Sequence, residues 1–154
     1  MKFFSSLILA SLFFTACNNK ADQPVADGDT ANIAPLVYSW QASLNDSSGK
    51  LEVKKSDFVG PDSLSVPAVI TYLNTANTNV QLVFVKTSGD TVYLKIPDAM
   101  YFTQQMGSSG PTIYLAQAVY NLTEVPGIKY VNLDFDEGDH ASPGTFNRES
   151  FKDE

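Results

Sequence analysis

Cysteine, histidine and tryptophan occur once each in the 154 residues, as Cys17, His140 and Trp40. A single cysteine excludes a disulfide within the chain. A single histidine cannot supply a usual zinc ligand set, and as a catalytic base it would need partners brought from elsewhere. Long apolar runs are missing too. Residues 3–16, broken by Ser5, Ser6, Ser11 and Thr15, reach about 21 Å as a helix, short of the roughly 30 Å of a hydrocarbon core. Positive charge is scarce: ten Lys and Arg face seventeen Asp and Glu, for a net charge of −7. That balance argues against nucleic acid and against adsorption to anionic lipid headgroups. No internal repeat and no heptad pattern is visible.

What is present begins with an export signal. Met1 and Lys2 form a minimal positive start, residues 3–16 have the length of a signal-peptide apolar region, and the small Ala16 closes it. Phe14-Thr15-Ala16-Cys17 resembles a bacterial lipobox. The resemblance implies cleavage before Cys17, a diacylglycerol on its thiol and an acyl chain on its amine. At about 0.8 kcal/mol per buried CH₂, such chains hold a protein firmly to a membrane. Asn18, in place of Asp, resembles the outer-membrane sorting pattern, and Lys20-Ala21-Asp22 resembles the surface-export signal of Bacteroidetes lipoproteins.

The chain divides into residues 1–16 as signal peptide, 17–35 as lipidated cysteine and tether, 36–138 as folded domain and 139–154 as a polar tail. The tether is rich in Ala, Asp, Asn, Gly, Pro and Thr, with Val25 and Ile33 its only large apolar residues. Such a segment buries too little to offset the entropy of ordering. As a flexible coil it spans about 23 Å. Asp29-Thr30-Ala31 there resembles a Bacteroidetes O-glycosylation sequon, as do Asp62-Ser63-Leu64 and Asp90-Thr91-Val92.

Within the domain, residues 36–44 alternate, with Leu36, Tyr38, Trp40, Ala42 and Leu44 on one face, and residues 50–55 alternate again beyond the turn cluster 45–49. Asp62-Ser63-Leu64-Ser65 with Pro67 marks a helix entry, and Val66, Val69, Ile70, Leu73 and Ala76 then form one helical face. Residues 80–86 and 91–96 read as a hairpin through 87–90. A loop at 106–111 with a capping Ser leads into a second helix, striped by Leu115, Ala118, Val119 and Leu122. Pro126-Gly127 stops it, and residues 128–135 close as a strand. The order β-β-α-β-β-α-β predicts a small single α+β domain, two helices on a mostly antiparallel sheet.

The runs Thr91-Val92-Tyr93-Leu94-Lys95-Ile96, Gly107-Ser108-Ser109-Gly110 and Ala118-Val119-Tyr120-Asn121-Leu122-Thr123-Glu124-Val125-Pro126-Gly127-Ile128-Lys129-Tyr130-Val131 together resemble the GerMN domain of sporulation and spore germination proteins. Glu137-Gly138 stands where that family's final turn falls, and the likeness covers residues 62–138. It implies a small α+β module without known catalytic residues, often tethered outside the cytoplasmic membrane and making protein contacts. The partner does not follow from the fold.

Several residues are candidates for chemistry. Asp134, Asp136, Glu137, Asp139 and His140 form the densest charged patch around Gly138. Asp134, Asp136 and Asp139 could offer oxygen ligands to a hard cation, but the run lacks the EF-hand spacing and its closing Glu; a solvated strand end is the plainer reading. The loop 107–110 ahead of a helix could present amides to an anion, yet it lacks the Lys of a P-loop. Trp40, Tyr38, Tyr93, Tyr101 and Phe102 could stack on a sugar or a partner, with core packing the simpler role for Trp40.

These observations lead to one expectation. The protein is a lipoprotein held through Cys17 to the envelope, most simply to the outer membrane. Its domain is expected to bind another envelope protein without catalysis and without a cofactor. A surface module for a glycan or a cation is the alternative.

Overall fold

The computed structural model describes residues 40–56 and 64–153. The signal, Cys17, the tether, Tyr38 with the rest of 36–39, and the glycosylation sequons at 29–31 and 62–64, the latter apart from Leu64, lie outside the described residues. No described helix is long and apolar enough to cross a membrane.

Strand β1 (Trp40–Leu44) pairs antiparallel with β2 (Leu51–Lys55), Trp40 opposite Lys55 and Leu44 opposite Leu51. The side chain of Asn45 shapes the turn. Its Oδ1 accepts from the Ser47 and Ser48 amides at 2.9 and 3.0 Å, and Gly49 supplies the left-handed residue at φ +68°. A two-stranded ribbon is marginal in water and needs a surface to lie on. Ala42, Leu51 and Val53 give it one by packing, half-buried, against the core. The inward alternation fails at its far end, where Leu44, beside the turn, is 37 % exposed.

Helix α1 (Val66–Ala76) starts where its capping residues place it. Ser65 is extended at φ −133°, its side chain accepts from the Ala68 amide, and Pro67 sits in the first turn. Val66, Val69, Ile70 and Leu73 are buried, whereas Ala76, assigned to the same stripe, is exposed in the last turn. Asn74 then pins the exit. It donates to the Leu82 carbonyl at 2.9 Å and accepts from the Leu82 amide at 2.7 Å, as a neighbouring strand would.

The larger sheet runs in the order β3 (Val83–Ser88), β4 (Thr91–Lys95), β5 (Tyr130–Asp134), β6 (Gly144–Phe146). The β3–β4 and β5–β6 pairs are antiparallel and β4–β5 is parallel, since the chain crosses over between them through the second helix. Val92, Leu94, Val131 and Leu133 face inward and are fully buried, with Ile96 just beyond β4. Strand β3 begins later than the sequence suggests. Val80 and Leu82 are buried, but they precede the strand.

Between β4 and the second helix lies an element that local periodicity does not announce, a π-helical turn at Tyr101–Gln105. The Met106 amide closes it on the Tyr101 carbonyl at 3.1 Å. It buries Phe102 edge-on against Tyr114 and Phe135 at centroid distances of 5.5 and 5.2 Å. Helix α2 (Gly110–Leu122) follows, with Pro111 in its first turn. Ser109 makes no capping hydrogen bond, contrary to the expected cap, because it is already helical at φ −98°, ψ −17°. Leu115, Ala118, Val119 and Leu122 are buried as their spacing predicts, and so are Tyr114, Ala116 and Asn121, because α2 is covered on more than one side.

Beyond Gly138 the chain is more than a polar tail. It adds β6 to the sheet and ends in a short 3-10 helix, Arg148–Phe151, capped reciprocally by Asn147 and Ser150. Phe151 is buried there, stacked with Phe146 at 6.3 Å.

Candidate functional site

The acidic run is held in place by its backbone. Asp134 ends β5 and pairs with Lys95 at 3.7 Å. Gly138 bridges to Ala141, the His140 amide donates to the Thr103 carbonyl at 3.1 Å, and the Ser142 hydroxyl donates to Glu137 at 2.5 Å. A Cβ on Gly138 would stand 2.5 Å from Thr103 Oγ1, so only glycine lets the turn lie this close to the π-helical segment. The side chains of Asp134, Asp136, Asp139 and His140 are exposed. Among the described residues, no three His, Cys, Asp or Glu side chains are placed to hold a metal ion together.

The aromatic candidates part company. Phe102 is wholly buried, and Tyr101 is half-buried at the edge of a shallow depression of about 470 Å³ that Thr78, Asn79 and Gln81 also line. Tyr93 sits on the outer face of the sheet, beside a second depression shared with Val85, Asn132 and Pro143. The Lys86 ammonium lies 4.7 Å over the Tyr93 ring, on a face that a sugar would otherwise use. In the loop 107–110, Gly107 takes φ +74°, and a Cβ on Gly110 would meet Met106 at 2.6 Å. Those glycines serve chain path and packing.

Trp40 belongs to a cluster that sequence reasoning missed. Its amide donates to Asn121 Oδ1 at 3.2 Å and its carbonyl accepts from Asn121 Nδ2 at 2.9 Å. The indole N–H donates to Glu124 at 3.0 Å, and the ring meets Tyr120 edge-on at 5.2 Å. Arg148 reaches the same carboxylate at 2.6 Å and donates through Nε to Thr123 Oγ1 at 2.8 Å. Its guanidinium lies over the Trp40 and Tyr120 rings, at 4.8 and 5.2 Å. Lys55, donating at 2.8 Å, does most to hold the Glu124 carboxyl down to about 2; Trp40 and Arg148 assist, against the opposing effect of burial. One carboxylate thus joins the hairpin, the end of α2 and the C-terminal segment. Both cations meet the carboxylate and both of its oxygens accept hydrogen bonds, which suits a structural joint better than a reacting centre. No sequence signal announces it, because its members come from distant parts of the chain.

The remaining feature is an edge. Strand β6 covers one side of the sheet, and β3 forms the other edge. All six residues of β3 are exposed, including Val83 (47 %), Phe84 (48 %) and Val85 (56 %). The β3–β4 register shifts between Phe84 and Lys86, a bulge that sets Val85 and Lys86 on the outer face with Tyr93. Apolar edges this open are usually blunted, so this one asks for a covering.

A family model described as Sporulation and spore germination (Germane) matches residues 43–139. The match begins inside β1, earlier than the likeness seen at 62–138, and ends before β6. No curated protein and no solved structure matches the chain.

Proposed function

The chain belongs to the sporulation and spore germination family, and from that premise we propose that it is a lipid-anchored envelope lipoprotein whose domain binds another protein without catalysing a reaction. Family membership supplies the module and not the partner. The exposed apolar edge of β3 carries the interaction reading, since water-exposed Val83, Phe84 and Val85 are stabilised when another surface removes them from solvent. The anchor reading rests on Phe14-Thr15-Ala16-Cys17 and on the polar tether behind it. The non-enzymatic reading draws support from the Glu124 joint, where Lys55 and Arg148 both pair with the one carboxylate and engage it in holding the fold.

The alternative, a glycan- or cation-binding surface protein, has less behind it. Lys86 occupies a face of Tyr93, and Asp134, Asp136 and Asp139 form no metal-holding group. Crosslinking of the full chain in its native membranes tests the proposal, with Cys17→Ala as the unanchored control. A defined protein adduct that needs the anchor is the expected result; a chain that forms no adduct would sink the interaction reading.

A further inference from the structure

Resting on that interaction reading, we propose that β3 accepts an extended strand from a different protein, apolar and carrying a carboxylate opposite Lys86, as an added strand of the sheet. Strand β4 uses one side of the β3 backbone. The other side presents N–H and C=O groups to which, among the described residues, no strand is paired. An extended chain is the structure that satisfies such a row, because its own groups repeat at the same spacing. A globular surface or a helix would leave them to water.

The side chains narrow the occupant. Lys86 is the one charged residue of β3, and no carboxylate pairs with it among the described residues. The bulge places Val85 and Lys86 side by side on the outer face, next to Tyr93. A strand laid along this edge would meet Val85 and Lys86 together, because the bulge brings these adjacent residues to one face. The fitting segment therefore turns a carboxylate outward beside apolar neighbours.

A second copy of this chain fits poorly. Pairing β3 antiparallel with β3 so that both Val83-Phe84-Val85 runs meet sets Leu82 opposite each Lys86, so neither lysine gains a carboxylate. It also joins two bulged strands, and two chains of net charge −7 repel.

The test uses the full chain in detergent and two capped synthetic peptides of alternating Thr and Val, one with a central Glu and one with a central Lys. Hydrogen exchange over Val83–Ser88 is followed by mass spectrometry, and affinity by titration at low salt. The Glu peptide should slow exchange in β3 and bind about three- to tenfold tighter than the Lys peptide. Lys86→Glu should invert that preference, a gain that an unfolded variant could not mimic. Failure of both peptides to slow exchange in β3 overturns strand addition, and equal binding of both overturns the charge rule. Protection of β3 that grows with the chain's own concentration, without peptide, would make the occupant a second copy. Membrane crosslinks that persist when the peptides fail would leave the interaction reading standing and remove only this mode of binding.

Discussion

The Arg148 guanidinium lies 4.8 Å from the centre of the Trp40 ring, and both side chains hold the same Glu124 carboxylate. Trp40 precedes and Arg148 follows the stretch 43–139 that matches the family. The two flanks of the module thus close over its second helix and clamp the hairpin.

This contact is energetic as well as geometric. Arg148→Ala should destabilise the fold by about 1–3 kcal/mol, through lost charge-assisted hydrogen bonds and ring contacts. A double-mutant cycle with Trp40→Leu in urea should return a coupling of about 0.5–1 kcal/mol. A coupling indistinguishable from zero would make the two side chains neighbours without a bond between them.

Glu124 gives the pH dependence its sign. Its folded carboxyl lies at about 2, below the ordinary 4.5. The ion pairs therefore contribute fully above about 4.5 and are lost as pH falls toward 2. Glu124→Gln should be less stable than the parent near neutral pH, and the gap should narrow through that window. A gap that stays constant between pH 6 and pH 2 (roughly the span of an acid titration) would contradict the assignment.

Two core substitutions should move in opposite directions. Leu122 is fully buried, so Leu122→Ala should cost roughly 2–5 kcal/mol. Tyr114 buries a hydroxyl that has no hydrogen-bond partner among the described residues, and burial also pushes its ionisation upward, so the group stays neutral. Tyr114→Phe should be neutral or stabilising by about 1 kcal/mol, because an unsatisfied polar group leaves the core. A loss of stability there would reveal a partner for the hydroxyl.

The acidic turn should ignore calcium. Its exposed carboxylates do not converge, so millimolar Ca²⁺ or EDTA should leave the thermal midpoint within about a degree, whereas a bound ion at a hundredfold excess over Kd adds about 2.7 kcal/mol. A shift of several degrees that vanishes in Asp136→Asn would move the protein to the cation-binding alternative.

On the proposed anchoring through Cys17, Cys17→Ala should release the protein from membranes, because the acyl chains that would hold it are lost. Fractionation with membranes after a high-salt wash would show that something other than the lipid retains it.

How much of this was legible in the sequence depends on the range of the interactions involved. Ser65 and Pro67 announced α1, Asn45 and Gly49 announced the first turn, and the Leu115-Ala118-Val119-Leu122 stripe announced α2, because capping, turn conformation and helical periodicity act within a few residues. The family likeness was readable for the same reason, lying in continuous phrases of helix, turn and strand. The Glu124 joint was not, since its worth arises only when Trp40, Lys55 and Arg148 are brought to one carboxylate from distant segments. The polar stretch after Gly138 gave no hint that Phe146 and Phe151 would anchor a strand and a 3-10 turn. Val83-Phe84-Val85 reads as a strand by its composition alone. Its place at the open edge, where its apolar surface meets water, follows from the order in which the strands pair, and strand order is decided by tertiary packing.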